Sequence, residues 1–222
     1  MFNNIARTYD LLNHVLSFGI DYYWRYRAIR LLRPSQPGLI LDMATGTGDF
    51  ALETLRQLPS SRIVGMDLSE TMLAVGQTKL RKRQVTDRIH FACADAENLP
   101  IPDAIFDAVT VAFGVRNFET LSTGLREMGR VLKPGGQLII LEFSRPVSFP
   151  MKQLYFFYFK RVLPLIGRLV SKNQTAYTYL PESVLQFPDP DLLARMLKTA
   201  GFQSVRIESM TAGIVTIHHA IR

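Results

Sequence analysis

The residues best suited to chemistry lie at one glycine-rich turn, where an apolar stretch ends in an acid. Leu39-Ile40-Leu41-Asp42 leads into Gly46 and Gly48, and a helical pattern begins at Asp49. Glycine allows positive φ and lets a ligand approach the backbone without meeting a Cβ, while the first N–H groups of the following helix have no partner within it. The turn therefore predicts a binding site for a small polar ligand.

Two cofactors compete for this turn. Gly46-x-Gly48-x-x-Ala51 matches the dinucleotide fingerprint. A pyrophosphate would, however, face the carboxylates of Asp42 and Asp49, and like charges at short range repel. S-adenosylmethionine carries an ammonium and a sulfonium and has no phosphate, so we expect it to be the ligand and Asp42 to help bind it. The alternative for Asp42 is a structural role as a cap of the next helix.

More polar groups are predicted along the same rim of the fold. Asp67 ends a second apolar stretch and suits a pair of ribose hydroxyls, whichever cofactor binds. Asp95 follows a third stretch and, with Ala96, would offer a carboxylate and a backbone N–H to an adenine edge. Ala112 and Glu142 close two further strands, so all these residues are expected at one edge of a sheet.

The acceptor side is predicted to involve Arg116 and Asn117, a few residues past the strand that ends at Ala112. Arginine is a permanent cation with five donors, so Arg116 is expected to orient or stabilise an oxyanion rather than accept a proton. Tyr9 and His14, from the N-terminal segment, are candidates for lid contacts or for the base.

Short β patterns alternate with longer helical patterns from residue 39 onward. The predicted strands are 39–43, 62–67, 88–93, 106–112, 136–143, 203–210 and 214–221. The predicted helices of this part are 49–58, 69–83, 119–132 and 189–200. This order predicts an α/β fold with a doubly wound, mostly parallel sheet and a C-terminal hairpin, whose ligands bind beyond the carboxyl ends of the strands.

The segments around this core are expected to belong to the same single domain, 1–222. Residues 1–33 are predicted to form a helical lid, because a helical segment before a nucleotide-type core often folds over the ligand. Residues 39–143 form the cofactor-binding core, residues 148–188 a substrate-side insertion and residues 189–222 the last helix and hairpin. The aromatic stretch 154–163 favours equally an interfacial helix or pocket wall and a plain buried helix.

Composition narrows the functional classes. A chain of 222 residues that is 47% hydrophobic can form one sizeable core. The net charge of +7 allows an anionic membrane face, an acidic substrate or nucleic acid, but no RNA-recognition motif supports nucleic acid. Cys93 is the only cysteine and the four histidines are scattered, so we expect no disulfide, no metal site and a cytoplasmic location. No run of about eighteen apolar residues and no charged-then-apolar start appears, so we expect neither a membrane span nor a signal peptide.

The motifs carry a family resemblance at two levels. Leu41-Asp42, Gly46-Thr47-Gly48, Asp67, Asp95-Ala96 and the run Arg130 to Gly136 resemble the class I S-adenosylmethionine-dependent methyltransferases. A more specific resemblance, over almost the whole chain, is to the ubiquinone and menaquinone biosynthesis C-methyltransferases. It is carried by Tyr9-Asp10 with Asn13, Ser17, Gly19 and Trp24-Arg25, by Phe113-Gly114-Val115-Arg116-Asn117-Phe118, and by Tyr177-x-Tyr179-Leu180-Pro181-Glu182-Ser183.

The resemblance implies a Rossmann-like sheet of seven strands, six parallel and one antiparallel. It also implies that Thr47, Asp67, Asp95 and Ala96 touch the cofactor and that Gly46 and Gly48 shape its loop. This chain departs from the family at two positions, with Asp21 where His is frequent and Ala112 where Ser is frequent. At position 112 only the backbone then remains for a cofactor contact.

The activity implied by the resemblance is methylation of a ring carbon of a polyprenylated naphthoquinol in menaquinone biosynthesis. Loss of a hydroxyl proton from the quinol would make the neighbouring carbon nucleophilic, and the base stays open among Tyr9, Asp10 and His14. A benzoquinol of ubiquinone biosynthesis or another small phenol is the alternative acceptor. A lipid substrate would give the aromatic stretch and the positive charge a common reason, namely peripheral contact with the inner membrane face. The oligomeric state is left open, a dimer being allowed.

Overall fold

The computed structural model describes residues 14, 17, 19–157, 161 and 183–222 and centres on a seven-stranded sheet. The strands are β1 (Leu39–Met43), β2 (Arg62–Asp67), β3 (Ile89–Cys93), β4 (Phe106–Ala112), β5 (Leu132–Phe143), β6 (Ser204–Met210) and β7 (Val215–Ile221). Their order is β3-β2-β1-β4-β5-β7-β6. Only β7 runs antiparallel to its neighbours, so the expected fold with six parallel strands and one antiparallel strand is confirmed.

Helices cover both faces of the sheet. In the described part of the chain they include α1 (Ile20–Arg30), α2 (Asp49–Gln57), α3 (Glu70–Arg83), α4 (Leu121–Val131), α5 (Met151–Phe157) and α6 (Pro190–Thr199), with short 3-10 helices at Val115–Asn117 and Thr211–Gly213. Among the described helices, none is long and apolar enough to cross a membrane.

Local capping explains where two of the helices begin. Ser69, just before α3, accepts a hydrogen bond from the Met72 N–H at 3.2 Å, as its predicted role as N-cap requires. Asp189 does the same for α6 by accepting from the Leu192 N–H at 2.8 Å, and Pro190 follows at the first helical position. Each cap accepts from an N–H group of the first helical turn that has no partner within the helix, and so determines where the helix begins.

The core forms on both faces of the sheet because successive side chains of a strand point to opposite sides. In β1, Ile40 belongs to the cluster that also contains Trp24 and Phe50 of α1 and α2. Leu41 belongs to the opposite cluster, with Leu125 of α4. Both β1 side chains are fully buried. The central strands are therefore apolar on both faces, as parallel strands covered by helices must be.

Helix α1 is fixed to the core rather than standing apart from it. Trp24, Ala28 and Ile29 are buried in its inner face. The Trp24 indole N–H donates to Thr211 Oγ1 at 2.7 Å, which ties α1 to the turn between β6 and β7. The predicted lid, residues 1–33, therefore includes a helix that is fixed to the core, and the lid role stays a prediction.

The predicted element bounds agree with the structure to within about two residues except around residues 132–136. There the structure ends α4 at Val131 and pairs Leu132 with Phe106, and the next pair, Ala108 opposite Gln137, lies two positions on along β4 but five along β5. Pro134 has no N–H and Gly135 has φ +75°, so the chain bulges between these two pairs.

Several sequence predictions fall outside the described residues. They concern Tyr9 and Asp10, most of the lid, the aromatic residues 158–160, 162 and 163, and the motif at 177–182. Helix α5 holds the described beginning of the aromatic stretch. In this helix Tyr155 is buried, whereas Leu154 and Phe157 are exposed. One face of α5 therefore packs against the protein and the other faces solvent.

Candidate functional site

The glycine turn between β1 and α2 has the predicted backbone. Gly46 and Gly48 have φ +56° and +83°, which side chains disfavour. A Cβ on Gly48 would lie 2.5 Å from Phe91 Cζ, whereas a Cβ on Gly46 would meet only Met72 Cε, at 3.4 Å. Gly46 lines the cavity described below and Gly48 does not. Gly48 therefore shapes the turn by packing, and Gly46 is the glycine that leaves space for a ligand.

Asp42 is buried beneath this turn, and the structure shows both of its carboxylate oxygens in use. Thr45 Oγ1 donates to Oδ2 at 2.6 Å, and Thr110 Oγ1 donates to Oδ1 at 2.8 Å. The backbone of Ala51 also donates to Asp42. Burial raises the pKa of Asp42 to about 6, although these hydrogen bonds oppose the shift. Asp42 thus anchors the loop and the first turn of α2. It also borders the cavity, and its role in cofactor binding stays a prediction.

Asp67 closes the turn from the side of β2. Its Oδ2 accepts from the Gly46 N–H at 2.9 Å and its Oδ1 accepts from the Ser69 N–H at 2.8 Å. Burial raises the pKa of Asp67, with these two N–H groups acting against the shift. The carboxylate lines the cavity and each of its oxygens has a further lone pair, so it can still accept from ligand hydroxyls.

The remaining predicted cofactor residues lie around the same opening. Asp95 is exposed just after β3 and Ala96 beside it is buried; both border the cavity. Thr47, of the glycine turn, and Ala112, at the end of β4, border it as well. The structure therefore gathers the residues predicted for cofactor binding around one cavity, apart from Gly48.

The cavity measures about 330 Å³ and is strongly acidic. The acidic residues around it are Asp42, Asp49, Asp67, Asp95, Glu97 and Glu119. Among the described residues that line it, Arg25 is the only lysine or arginine. A dianionic pyrophosphate is disfavoured in such surroundings and a ligand with a net positive charge is favoured. The chemistry of the lining therefore fits S-adenosylmethionine.

Asp21 organises the start of α1. His14 Nδ1 lies 2.7 Å from its Oδ2, Ser17 Oγ donates to its Oδ1 at 2.7 Å, and Arg25 pairs with Oδ2. Burial acts to raise the pKa of Asp21, but Ser17, Arg25 and His14 outweigh it and hold the pKa below its usual range. A carboxylate only accepts, so Nδ1 is the ring nitrogen of His14 that donates in this contact.

His14 also approaches the glycine turn. Its Nε2 lies 3.8 Å from Asp49 Oδ2, and its ring stacks on Tyr22 with centroids 4.3 Å apart. Asp49 in turn pairs with Lys79 of α3, whose Nζ is 2.6 Å from Oδ1. His14 does not line the cavity, but it contacts a residue that does. Its predicted role as a lid contact or base stays a prediction.

Arg116 and Asn117 differ in their placement. Asn117 lines the cavity together with Phe113, Gly114 and Phe118. Arg116 instead pairs with Glu142, with Nη1 to Oε1 at 2.8 Å and both side chains almost inaccessible, at 6% and 0% exposure. Burial raises the pKa of Glu142, and the charge of Arg116 opposes the shift. Arg116 Nε is buried and has no hydrogen-bond partner in the described part of the chain.

Two features of the site escaped the sequence analysis. Arg25 was recognised only as part of a motif, because an arginine on an amphipathic helix is usually solvated. Asp21 and Arg25 are opposite charges four residues apart, and this i, i+4 spacing is a weak signal in the sequence that they pair. The pairing of Arg116 with Glu142 joins residues from two elements, and no local pattern indicates it.

Comparisons with known proteins agree with this geometry. The profile of the ubiE/COQ5 methyltransferase family matches residues 1–222. A relative from Bacteroides fragilis, named demethylmenaquinone methyltransferase, is 47% identical over 222 residues, which are 100% of this chain and 91% of the relative. A Geobacter sulfurreducens relative, named ubiquinone/menaquinone biosynthesis C-methyltransferase UbiE, is 50% identical over 98% of this chain and 85% of its own.

A solved structure supports the fold independently. It is an S-adenosylmethionine-dependent methyltransferase from Thermotoga maritima, described as a possible histamine N-methyltransferase. It superposes with a TM-score of 0.68 at 20% identity and covers 99% of this chain and 97% of its own. At this identity the likeness concerns the fold alone.

Proposed function

This chain belongs to the ubiE/COQ5 methyltransferase family, and we propose that it methylates a ring carbon of a demethylmenaquinol to give a menaquinol. S-adenosylmethionine is its methyl donor. The observation that carries the choice of acceptor is that relatives with the name demethylmenaquinone methyltransferase match along the whole chain. Relatives that also bear the name of ubiquinone biosynthesis make a polyprenyl benzoquinol the second candidate.

The cofactor would be held around the rim of the sheet. Asp67 would accept from the ribose hydroxyls, and Asp95 with the backbone of Ala96 would face the adenine. The turn with Gly46 and Thr47 would contact the remaining, methionine part of the cofactor. When bound, the cofactor supplies an electrophilic methyl group. Since the loop is already held by Asp42 and Asp67, little of the binding free energy is spent on ordering it.

The acceptor ring would lie on the β4 side of the cavity. Phe113 and Phe118 present aromatic surface there and Asn117 presents a side-chain amide. Aromatic walls suit a flat quinol and an amide can hold one of its oxygens. The same walls exclude water, so they would hold the ring carbon and the methyl donor in contact.

The hydroxyl proton of the quinol needs an acceptor, and His14 remains a candidate. Asp21 and Ser17 fix its imidazole so that Nε2 points toward the Asp49 side of the cavity. Arg116 would act on the negative oxygen that forms as the proton leaves. Its buried Nε has no hydrogen-bond partner among the described residues, which supports this role. Tyr9, the other candidate, belongs to the part of the chain that is not described.

We also propose peripheral contact with an anionic membrane surface through an apolar patch beside the site. The patch consists of Val147, Phe149, Leu154 and Phe157, which are exposed by 88%, 82%, 56% and 61%. Lys152 stands exposed among them. Tyr155, on the buried side of α5, lies within electrostatic range of Arg116 and Glu142, which supports a position of this helix near the proposed acceptor side. A prenyl tail could thus leave the site toward lipid.

The substrate assignment is tested with purified protein, labelled S-adenosylmethionine and two reduced acceptors of equal prenyl length, a demethylmenaquinol and the matching demethylated benzoquinol. We expect a product one methyl group heavier from the naphthoquinol, with kcat/KM at least tenfold above that of the benzoquinol. Preference for the benzoquinol would shift the assignment to ubiquinone biosynthesis, and labelling of neither ring would overturn it.

The membrane proposal is tested by sedimentation with vesicles of anionic or zwitterionic lipid. Phe149→Asp with Phe157→Asp should abolish binding to anionic vesicles. Ile105→Asp is the matched control, since Ile105 is 37% exposed and lies at the opposite end of the strands, before β4. Binding that survives the double change, or that is lost equally in the control, would contradict the proposal.

A further inference from the structure

The charge of the cavity leaves one part of the cofactor without an assigned partner. S-adenosylmethionine carries an α-carboxylate besides its two cationic groups. The described lining offers many carboxylates, which repel that group, and a single basic side chain, Arg25. A buried carboxylate needs a cation or several hydrogen-bond donors to remain stable. Arg25 is therefore the group in this lining that can neutralise it.

Topology places Arg25 at the right end of the site. The predicted partners of the adenosine part are Asp67, the last residue of β2, and Asp95, just after β3. Across the sheet come β1 and then β4, so the methionine part falls toward β4. The Arg25 guanidinium carbon lies 5.9 Å from the centre of the Phe113 ring, just past β4. Arg25 thus stands on the side opposite the adenosine residues.

Arg25 is held in this position by Asp21. Its Nη1 donates a hydrogen bond to Asp21 Oδ2. Asp21 is itself fixed by Ser17 and by His14, which also contacts Asp49 at the glycine turn. A planar guanidinium with one edge held by one carboxylate can present its remaining donors to a second.

We propose that Arg25 binds the α-carboxylate of the methionine part of S-adenosylmethionine and that Asp21 positions Arg25 for this contact. The proposal rests on the assignment of S-adenosylmethionine as the cofactor. It goes beyond the predicted contacts to ribose and adenine, since it assigns the recognition of the amino-acid end. It also gives Asp21 a defined task in this chain.

The test is calorimetric binding without any quinol, so that a contact of Arg25 to the acceptor cannot contribute. Two ligands are compared, S-adenosylhomocysteine, which has the carboxylate, and 5′-methylthioadenosine, which lacks the amino-acid part. In Arg25→Gln we expect S-adenosylhomocysteine to bind roughly ten- to a hundredfold more weakly. Binding of 5′-methylthioadenosine should stay within about twofold of the unchanged protein.

Two further variants protect the experiment against loss of folding. Asp21→Asn with Arg25→Gln removes both buried charges together, and it should show the same selective loss. Arg30→Gln is the matched control, because Arg30 is exposed on the same helix and lies outside the cavity lining. It should bind both ligands normally.

The other outcomes overturn the proposal. Unchanged binding of S-adenosylhomocysteine would show that Arg25 does not hold the carboxylate. Equal weakening of both ligands in the double variant would show that Arg25 only supports the fold. If the unchanged protein bound neither ligand, the cofactor assignment itself would fail. Failure of the Arg25 proposal alone leaves ligand binding by the unchanged protein intact, so the two failures can be told apart.

Discussion

Replacement of Arg116 by Met tests whether this residue acts on the acceptor or only neutralises Glu142. Glu142 is completely buried, and Oε1 accepts from Arg116 Nη1 at 2.8 Å and from the Phe143 N–H at 2.9 Å. Removing the cation leaves a buried carboxylate without a counter-charge, which lowers the free energy of unfolding by about 3–5 kcal/mol. The total is only about 5–15 kcal/mol for a typical domain, so Arg116→Met alone confuses stability with function.

The double variant Arg116→Met with Glu142→Gln separates the two effects. It removes both charges of this pair, and the glutamine oxygen can still accept from the Phe143 N–H. We expect its unfolding free energy to lie within about 1–2 kcal/mol of the unchanged protein, since hydrogen bonds of ordinary strength are lost. The coupling between the two sites, measured by urea unfolding of both single variants and the double, should exceed about 1 kcal/mol.

Turnover gives the decisive comparison. If Arg116 stabilises the negative oxygen of the acceptor, the stable double variant should lose roughly a hundred- to a thousandfold in kcat. Its affinity for S-adenosylhomocysteine should stay within a few-fold, because Arg116 does not line the cavity. Near-normal turnover in the double variant would refute the oxyanion role and leave Arg116 as the counter-ion of Glu142.

Three further predictions follow from the buried groups. Because the pKa of Asp42 is raised to about 6 and a cationic ligand favours its ionised form, affinity for S-adenosylmethionine measured by calorimetry should fall about tenfold from pH 7 to pH 5; an equal fall in Asp42→Asn would contradict this. Gly48→Ala should lower the free energy of unfolding in urea by about 2–5 kcal/mol, through strain and contact with Phe91, and Gly46→Ala by only about 1–2. Burial lowers the pKa of His218, so below about pH 6.5 the unfolded chain gains a proton that the folded chain does not. The free energy of unfolding, measured in urea at several pH values, should therefore fall as the pH falls. In His218→Gln it should depend less steeply on pH.

The sheet could be predicted from sequence because each central strand is a short apolar run bounded by turn residues. The rim residues could be placed for the same reason, since an acid at the end of a parallel strand must lie at the carboxyl edge. Asp42, Asp67 and Asp95 were found this way and now surround one cavity. The apolar pattern predicts which residues end a strand, and the order of the strands in the sheet determines which of these residues are neighbours.

The pairing of the charged groups could not be predicted. Asp42 bonds to Thr110 across 68 positions of sequence, and Arg116 bonds to Glu142 across 26. Neither spacing belongs to a helix or a turn, so no local rule connects them. Sequence analysis assigned Arg116 to the acceptor by its position after β4, and the structure adds the carboxylate that fixes its orientation.

The excess of acids in the cavity has a consequence for the catalytic cycle. Asp42 and Asp67 hold the loop through N–H and O–H donors, which leave their negative charge uncompensated by a cation among the described residues. Such a cavity attracts S-adenosylmethionine, which has a net positive charge. Methyl transfer removes the sulfonium charge, so the product experiences less attraction in the same surroundings. A lining with this charge would therefore favour exchange of the spent product for a new donor.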